Sequence, residues 1–338
     1  MGGIQMKKIW LFSIVALLLV LTACGGSATQ SSSDQGNQNG VGRENEGNNE
    51  AVEPGTRIIE HAMGTTEVPA NPHRIVVMNG DALEALLAVG ITPVGATQAM
   101  GDRIWYPHLE EYMDGVTNVG TMSEPDLEAV MQLEPDLILG TKTRTESSYD
   151  LLSMIAPTIF NEAHTDGEWK NDFLLYVESV GKLEEGKKIL EDWEARAANL
   201  SIRLGAADKL NEEVGVLRFT AGQGRFFYNN SYSGSILKEL NFARPANHDS
   251  YDAWTENITQ ERIPEMDADI LFYFVLDSGD GEGLKFADEW MSHQLFQGLR
   301  AAQKGQVYEV DDAYWNMTYG IISADYVLDD IERMLLGE

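Results

Sequence analysis

Four arginines stand at positions where a charged side chain calls for a specific reason. The chain carries 24 lysines and arginines against 54 acids, so cations are scarce. Arg144 follows the apolar run "DLILG" in "GTKTRTESS", and Arg218 lies inside the apolar run "GVLRF". An unpaired charge inside an apolar strand is expensive. Arg225 follows in the glycine-rich loop "GQGRFFY", and Arg103 shares "GDRIWYP" with Trp105. A guanidinium is permanently charged and grips a carboxylate through two parallel hydrogen bonds. Gathered in a cleft, such groups attract an oxygen-rich anion. The competing readings are a buried ion pair with an Asp for Arg218 and plain solvation for Arg103, Arg144 and Arg225. Aromatic surface for a carbon skeleton comes from Tyr314, Trp315 and Tyr319 in "DDAYWNMTYG", with Phe227 and Tyr228 beside Arg225. A Tyr-Trp pair at a strand end is equally at home in a core.

Other chemistries leave weaker traces. The six histidines (His61, His73, His108, His164, His248, His293) show no close pairing, whereas a protein-held zinc or manganese needs several His and carboxylate ligands converging on one ion. "NSYSGS" offers serines, but there is no Gly-x-Ser-x-Gly elbow for a surface-tethered hydrolase. "GQGRFF" lacks the glycine spacing of a phosphate loop. The reading is a binding protein and not an enzyme, with no catalytic residues and no metal held by the protein itself. Haem and cobalamin remain alternative ligands. A formal net charge of −30 disfavours nucleic acid as a partner, and electrostatic adhesion to an anionic membrane as well.

The elements that must position these residues begin after a long preamble. Lys7 and Lys8 precede an apolar segment, Ile9 to Leu21, that suits an export signal better than a permanent membrane span. Leu21-Thr22-Ala23-Cys24 resembles the bacterial lipoprotein box, which implies cleavage after residue 23 and a lipid on Cys24, the one cysteine of the chain. Residues 24–56 are Gly, Ser, Asn, Gln and Glu with little apolar content, the composition of a flexible spacer. Beyond it, short apolar runs (74–78, 92–97, 136–140, 158–160) alternate with helical patterns (80–89, 125–133, 147–155), as in a parallel α/β lobe. Gly90 and Asn241 sit where helix C-caps belong. A helical stretch near 168–203 follows, then a second α/β set with strands at 214–219, 270–275 and 306–310 and helices at 233–240, 293–302 and 320–336. "MQLEPDLILG" at 131–140 and "PEMDADILFYF" at 264–274 echo one another across that stretch, which suggests two similar lobes with the ligand site between them.

Taken in order, "NPHRIVVMNGDALEALLAVGITPVGA", "VGTMSEPDLEAVMQLEPDLILG", "YDLLSMIAPTIF", "VGVLRF", "YSGSILKEL" and "GQVYEVDDAYWNMTYG" resemble the substrate-binding lipoproteins of iron-siderophore ABC transporters. The resemblance runs from about residue 57 to 338. It implies an α/β fold of two Rossmann-like lobes, 57–166 and 205–338, joined by one long α-helix over 167–204, with a ligand cleft between the lobes. It implies a ferric siderophore as ligand, whose iron is already satisfied by six siderophore oxygens, so the protein supplies cations, donors and aromatic surface. In that family, arginines matching Arg144 and Arg218 point into the cleft. One acid on each lobe, matching Glu128 and Glu239, docks onto the permease. The arginines in both halves favour ferric citrate or a citrate-hydroxamate over a neutral trihydroxamate. The whole is expected to be a monomer tethered to the cell membrane, on the extracellular face of a Gram-positive cell or on the periplasmic side.

Overall fold

The computed structural model describes residues 55–100, 103–162 and 167–337. Cys24, the signal segment and nearly all of the spacer lie outside the described residues. In chain order the strands are β1 (Thr56–His61), β2 (Gly64–Pro69), β3 (Ile75–Val77), β4 (Gly95–Ala96), β5 (Thr117–Asn118), β6 (Leu137–Thr141), β7 (Thr158–Asn161), β8 (Val214–Thr220), β9 (Gln223–Phe227), β10 (Thr255–Ile258), β11 (Ile270–Val275) and β12 (Val307–Glu309). The helices are α1 (Gly80–Ala88), α2 (Leu127–Gln132), α3 (Lys142–Thr145), α4 (Tyr149–Ser153), α5 (Trp169–Ser179), α6 (Leu183–Ala206), α7 (Tyr232–Glu239), α8 (Glu282–Ser292), α9 (Gln294–Gln297), α10 (Arg300–Lys304) and α11 (Ile321–Leu336).

Two sheets form the two lobes. The first has the order β5-β4-β3-β6-β7 with every pairing parallel, so the strand order reverses between β3 and β6. The second has the order β10-β9-β8-β11-β12. Its β8, β11 and β12 are parallel, but β9 runs antiparallel to both β8 and β10. The glycine-rich segment around Arg225 is therefore a strand rather than a loop. Gly222, at φ +71°, makes the tight return between β8 and β9.

The sequence echo has a shared physical role. Asp136, just before β6, accepts hydrogen bonds from His73 N (2.7 Å) and Arg74 N (2.9 Å) at the entry to β3. Asp269, just before β11, accepts from Glu213 N (3.0 Å) at the entry to β8. In each lobe one carboxylate aligns the starts of two neighbouring parallel strands. The caps also match their residue types, with Gly90 at φ +74° and Asn241 at φ +63°.

The helical stretch expected as one element over 167–204 is two helices. Gly181, at φ +76°, breaks it between Ser179 and Leu183, in a space closed off by Arg57 and the Ala70 carbonyl. The shorter helix, α5, packs on α1, β1 and β7 of the first lobe, and α6 alone connects the lobes, lying against α5 and α11. One apolar cluster takes in the inward faces of both sheets and both helices, among them Val77, Leu139, Trp169, Trp193, Leu200, Val216 and Phe272. Separate clusters cover the outer face of the second sheet and the outer face of the first.

Gly186 lets α6 approach α5, because a Cβ there would overlap the branched Val177 side chain. Gly205, in the same helix, has only ordinary contact with Leu210 at 3.5 Å. Removing an interior helix glycine favours the helix by up to about 1 kcal/mol, whereas overpacking costs about 1–3 kcal/mol. Gly186→Ala is therefore expected to lower the urea midpoint and Gly205→Ala to raise it.

Candidate functional site

A cavity of about 430 Å³ opens between the lobes. Its first-lobe wall is Ala99, Met100, Arg103, Tyr106 and Pro107, and its second-lobe wall comes from residues 275–284 and 311–317. These segments follow the carboxyl ends of β4, β11 and β12, where α/β folds collect ligand groups. An adjoining hollow shares Arg103, Pro107 and Asp311 and adds Ile104, Trp105 and Glu110. Arg103 thus lines both hollows and Trp105 the second. Met100, Ile104 and Leu284 put exposed apolar side chains at its rim.

Arg218 and Arg225 are direct partners across the antiparallel β8–β9 pair. Both face the side on which Val214, Val216 and Phe227 join the inter-lobe core. Directly opposed like charges destabilise a sheet. Arg218 is 7% exposed and its Nη2 donates to Asp312 Oδ2 at 3.2 Å, so the buried ion pair foreseen as a competing reading is present. Arg225 donates to Gln223. Burial and the nearby Arg218 charge lower its pKa from the ordinary arginine value. The Nε atoms of both arginines are buried and have no hydrogen-bond partner among the described residues. Arg144 extends from α3, beyond β6 and next to the point where the first sheet reverses order, with Nη1 3.9 Å from Met100 Sδ. Its charge reaches Tyr106 and Tyr319, and Tyr319 also feels Arg218 and Asp312.

The segment that closes this group is locally unusual. Residues Ala313–Met317 form a single π-helical turn, a form that tends to occur at functional sites. Tyr319 follows at φ +56°, a strained setting for a bulky residue. The π turn brings Asn316 Nδ2 to 3.0 Å from Asp312 Oδ1, which holds that carboxylate toward Arg218. Burial raises the Asp312 pKa, and Arg218 opposes the shift.

Beneath the first-lobe wall, buried Asp81 accepts hydrogen bonds from Asn79 and from Asn161 Nδ2 (3.0 Å). Tyr176 joins Asn79 (3.0 Å) to the Gly140 carbonyl (2.9 Å). At the lobe junction Glu84 accepts from Ser323 N at 2.7 Å and from Ser323 Oγ, while His108 Nε2 lies 3.2 Å from both Glu84 Oε1 and Ser323 Oγ. His108 also packs edge-on against Tyr314 and Tyr326.

Four expected aromatic contacts are corrected. Trp315 is fully buried, 4.9 Å from the Phe272 ring, with Nε1 donating to Asp330 at 3.0 Å. The π turn directs Ala313 and Met317 at the cavity and Trp315 into the core. Tyr314 donates to the same Asp330 at 3.1 Å and packs on the lobe junction, away from the cavity lining. Tyr228 falls on the opposite face of the sheet from Arg225, as strand alternation requires, and donates to Glu256 at 2.5 Å. Phe227 is core. Sequence reasoning missed Asp312, Tyr106 and the Asp81 and Glu84 networks. The doubled acid of "VDDAYW" right after a strand was the available signal for Asp312. Glu128 is exposed on α2, beside Gln132. Glu239 ends α7 and pairs with Lys170 of α5 at 2.8 Å, and Lys170 also pairs with Glu194 of α6.

Two α/β lobes around one core, with a cavity between strand ends, define the class of solute-binding proteins whose lobes are joined by a single helix. Residues 75–314 match the family described as Periplasmic binding protein, and the chain belongs to it. The Bacillus subtilis (strain 168) protein named "Probable siderophore-binding lipoprotein YfiY" is 40% identical over 336 residues, 96% of this chain and 97% of that one. The "Fe(3+)-citrate-binding protein YfmC" of the same organism is 31% identical over 96% of both chains. Among solved structures, Staphylococcus aureus SirA complexed with staphyloferrin B is 29% identical, with a TM-score of 0.77 over 83% of this chain and 99% of that one.

Burial pushes the Asp81 carboxyl up to about 7 despite backbone and Asn161 hydrogen bonds, and Glu84 adds to the rise. Folding thus favours the protonated form. The contribution is fully present below about pH 4, the ordinary carboxyl range, and is lost as pH rises toward 7. Asp81→Asn is expected to flatten that part of the stability profile, read from urea midpoints between pH 4 and 7.

Proposed function

We propose that the chain is a membrane-tethered receptor that captures a ferric siderophore rich in carboxylate, of the ferric citrate or citrate-hydroxamate kind, and hands it to an ABC permease. The observation that carries this reading is the opposed pair Arg218 and Arg225, with Arg144 across the cleft and a single carboxylate, Asp312, set against them. Positive charge left over at the arginine pair favours an anion there, while Asp277 and Asp311 line the adjoining cavity. The exposed apolar rim of Met100, Ile104 and Leu284 suits the ligand's carbon skeleton. A siderophore brings its own iron ligands, so the protein's task is to recognise the outer oxygens. The names of the relatives agree with this substrate class. Export, a lipid on Cys24 and a spacer over 24–56 would hold a monomeric receptor at the outer face of a Gram-positive membrane, or on the periplasmic side. The shared core and α6 favour a small twist of the lobes over a wide closure.

Quenching of tryptophan fluorescence in the full chain tests the substrate. Ferric citrate or a ferric citrate-hydroxamate should saturate at sub-micromolar concentration, with weaker response to a neutral ferric trihydroxamate. Tight binding of haem or cobalamin alone would overturn the reading. Arg225→Ala should weaken the anionic chelate at least tenfold, consistent with about 1.5–3 kcal/mol for a hydrogen bond to a charged group.

Glu128 and Glu239 are the proposed permease contacts, one on each lobe. Glu128→Ala should abolish iron uptake by cells while the affinity for the ferric chelate stays unchanged. A parallel loss of affinity would remove the docking role.

A further inference from the structure

We infer that Asp312 is a specificity-determining residue, a built-in counter-anion that holds the arginine pair until a ligand of higher negative charge takes its place. This inference rests on the receptor reading above and adds a selection rule to it. Arg218 and Arg225 stand directly opposite one another on adjacent strands and project from the same face, close enough for Arg225 to feel the Arg218 charge. Asp277 and Asp311 line the adjoining cavity, while among the described residues the carboxylate set against this pair is Asp312, with Oδ2 3.2 Å from Arg218 Nη2. Its other oxygen is held by Asn316 across the π turn, and its side chain is nearly as buried as that of Arg218. The pair therefore carries two positive charges against one negative, and the Nε donors of both arginines remain without partners among the described residues. A monoanion entering here meets Asp312 and exchanges one carboxylate for another, with little net gain. A polycarboxylate that spans Arg218, Arg225 and Arg144 outbids the single aspartate. Discrimination of this kind comes from a repulsive group inside the site.

The test uses the full chain and two iron-free probes, citrate and acetate, read as shifts in thermal unfolding midpoint. In Asp312→Asn both probes should stabilise the protein at concentrations at least tenfold lower than in the unmodified chain, with acetate gaining the larger factor. Asp312→Glu should keep the original discrimination. An Asp312→Asn protein whose response to either anion is unchanged or weaker would overturn the inference. Should that variant fail to fold, Arg225→Gln decides instead. It leaves Asp312 matched to Arg218 alone, so the citrate concentration needed for stabilisation should rise at least tenfold, and an unchanged citrate response would sink the idea. A ferric citrate titration on the same proteins separates the two readings. If no ferric chelate binds the unmodified chain, the receptor reading fails, while the anion series still decides the role of Asp312.

Discussion

One apolar layer lies between the two sheets, and the position of every loop at the cleft depends on it. Strand faces from both lobes, α5, α6 and α11 all contribute to that layer. The loops that line the cavity are therefore anchored to a common body rather than to two separate ones. The Trp169–Trp193 contact, with ring centroids 5.1 Å apart, ties α5 to α6 within it. Lys170 reaches from α5 to acids on α6 and α7, above the Trp193 ring at 5.0 Å. Such a body transmits small rotations and resists large ones, because packed interiors deform little.

On this rigid frame the site places charge where a folded chain ordinarily avoids it. An arginine in the middle of a sheet costs desolvation, and a second arginine directly opposite adds repulsion. The structure offsets part of this with Asp312 and leaves the Nε donors of both arginines without partners among the described residues. The π turn and the left-handed Tyr319 belong to the same economy. Both are local departures from regular backbone, both lie within eight residues of Asp312, and both set the direction of groups facing the cleft.

Much of this architecture is legible in the residues alone. Apolar runs bounded by Gly and Asp mark the parallel strands, and Gly90 and Asn241 mark helix ends, because those signals act over a few residues. The repeated acid before β6 and β11 reveals the two-lobe plan, since each lobe needs a carboxylate to align its strand starts. Arg103, Arg144, Arg218 and Arg225 stand out by charge type against an acidic background; Arg103 lines the cavity with Trp105 in the adjoining hollow, while Arg218 and Arg225 lie on the sheet face beside it. The aromatic assignments fail for a geometric reason. Trp315, Tyr314 and Tyr228 are near the site in sequence, but a π turn shifts the phase of the first two and strand alternation turns the third away. Neither phase is readable without the backbone. Glu84 and Asp81 are hidden for another reason: they are acids among 54, and only their burial distinguishes them, whereas Asp312 has the faint signal of a doubled acid after a strand.

Gly320 adds a constraint of a different kind. A Cβ at this position would fall 2.5 Å from Glu84 Cβ, so the end of the 311–320 segment is pressed against a helix of the other lobe. Tyr319 just before it accepts its strained backbone in the same place. The 311–320 segment and α1 are thus machined as mating parts. Transplanting residues 311–320 into a related receptor to move its ligand preference would succeed only if the recipient offers the same recess beside its own counterpart of Glu84. For this scaffold the unit of exchange is a pair of surfaces, one from each lobe, and not a loop.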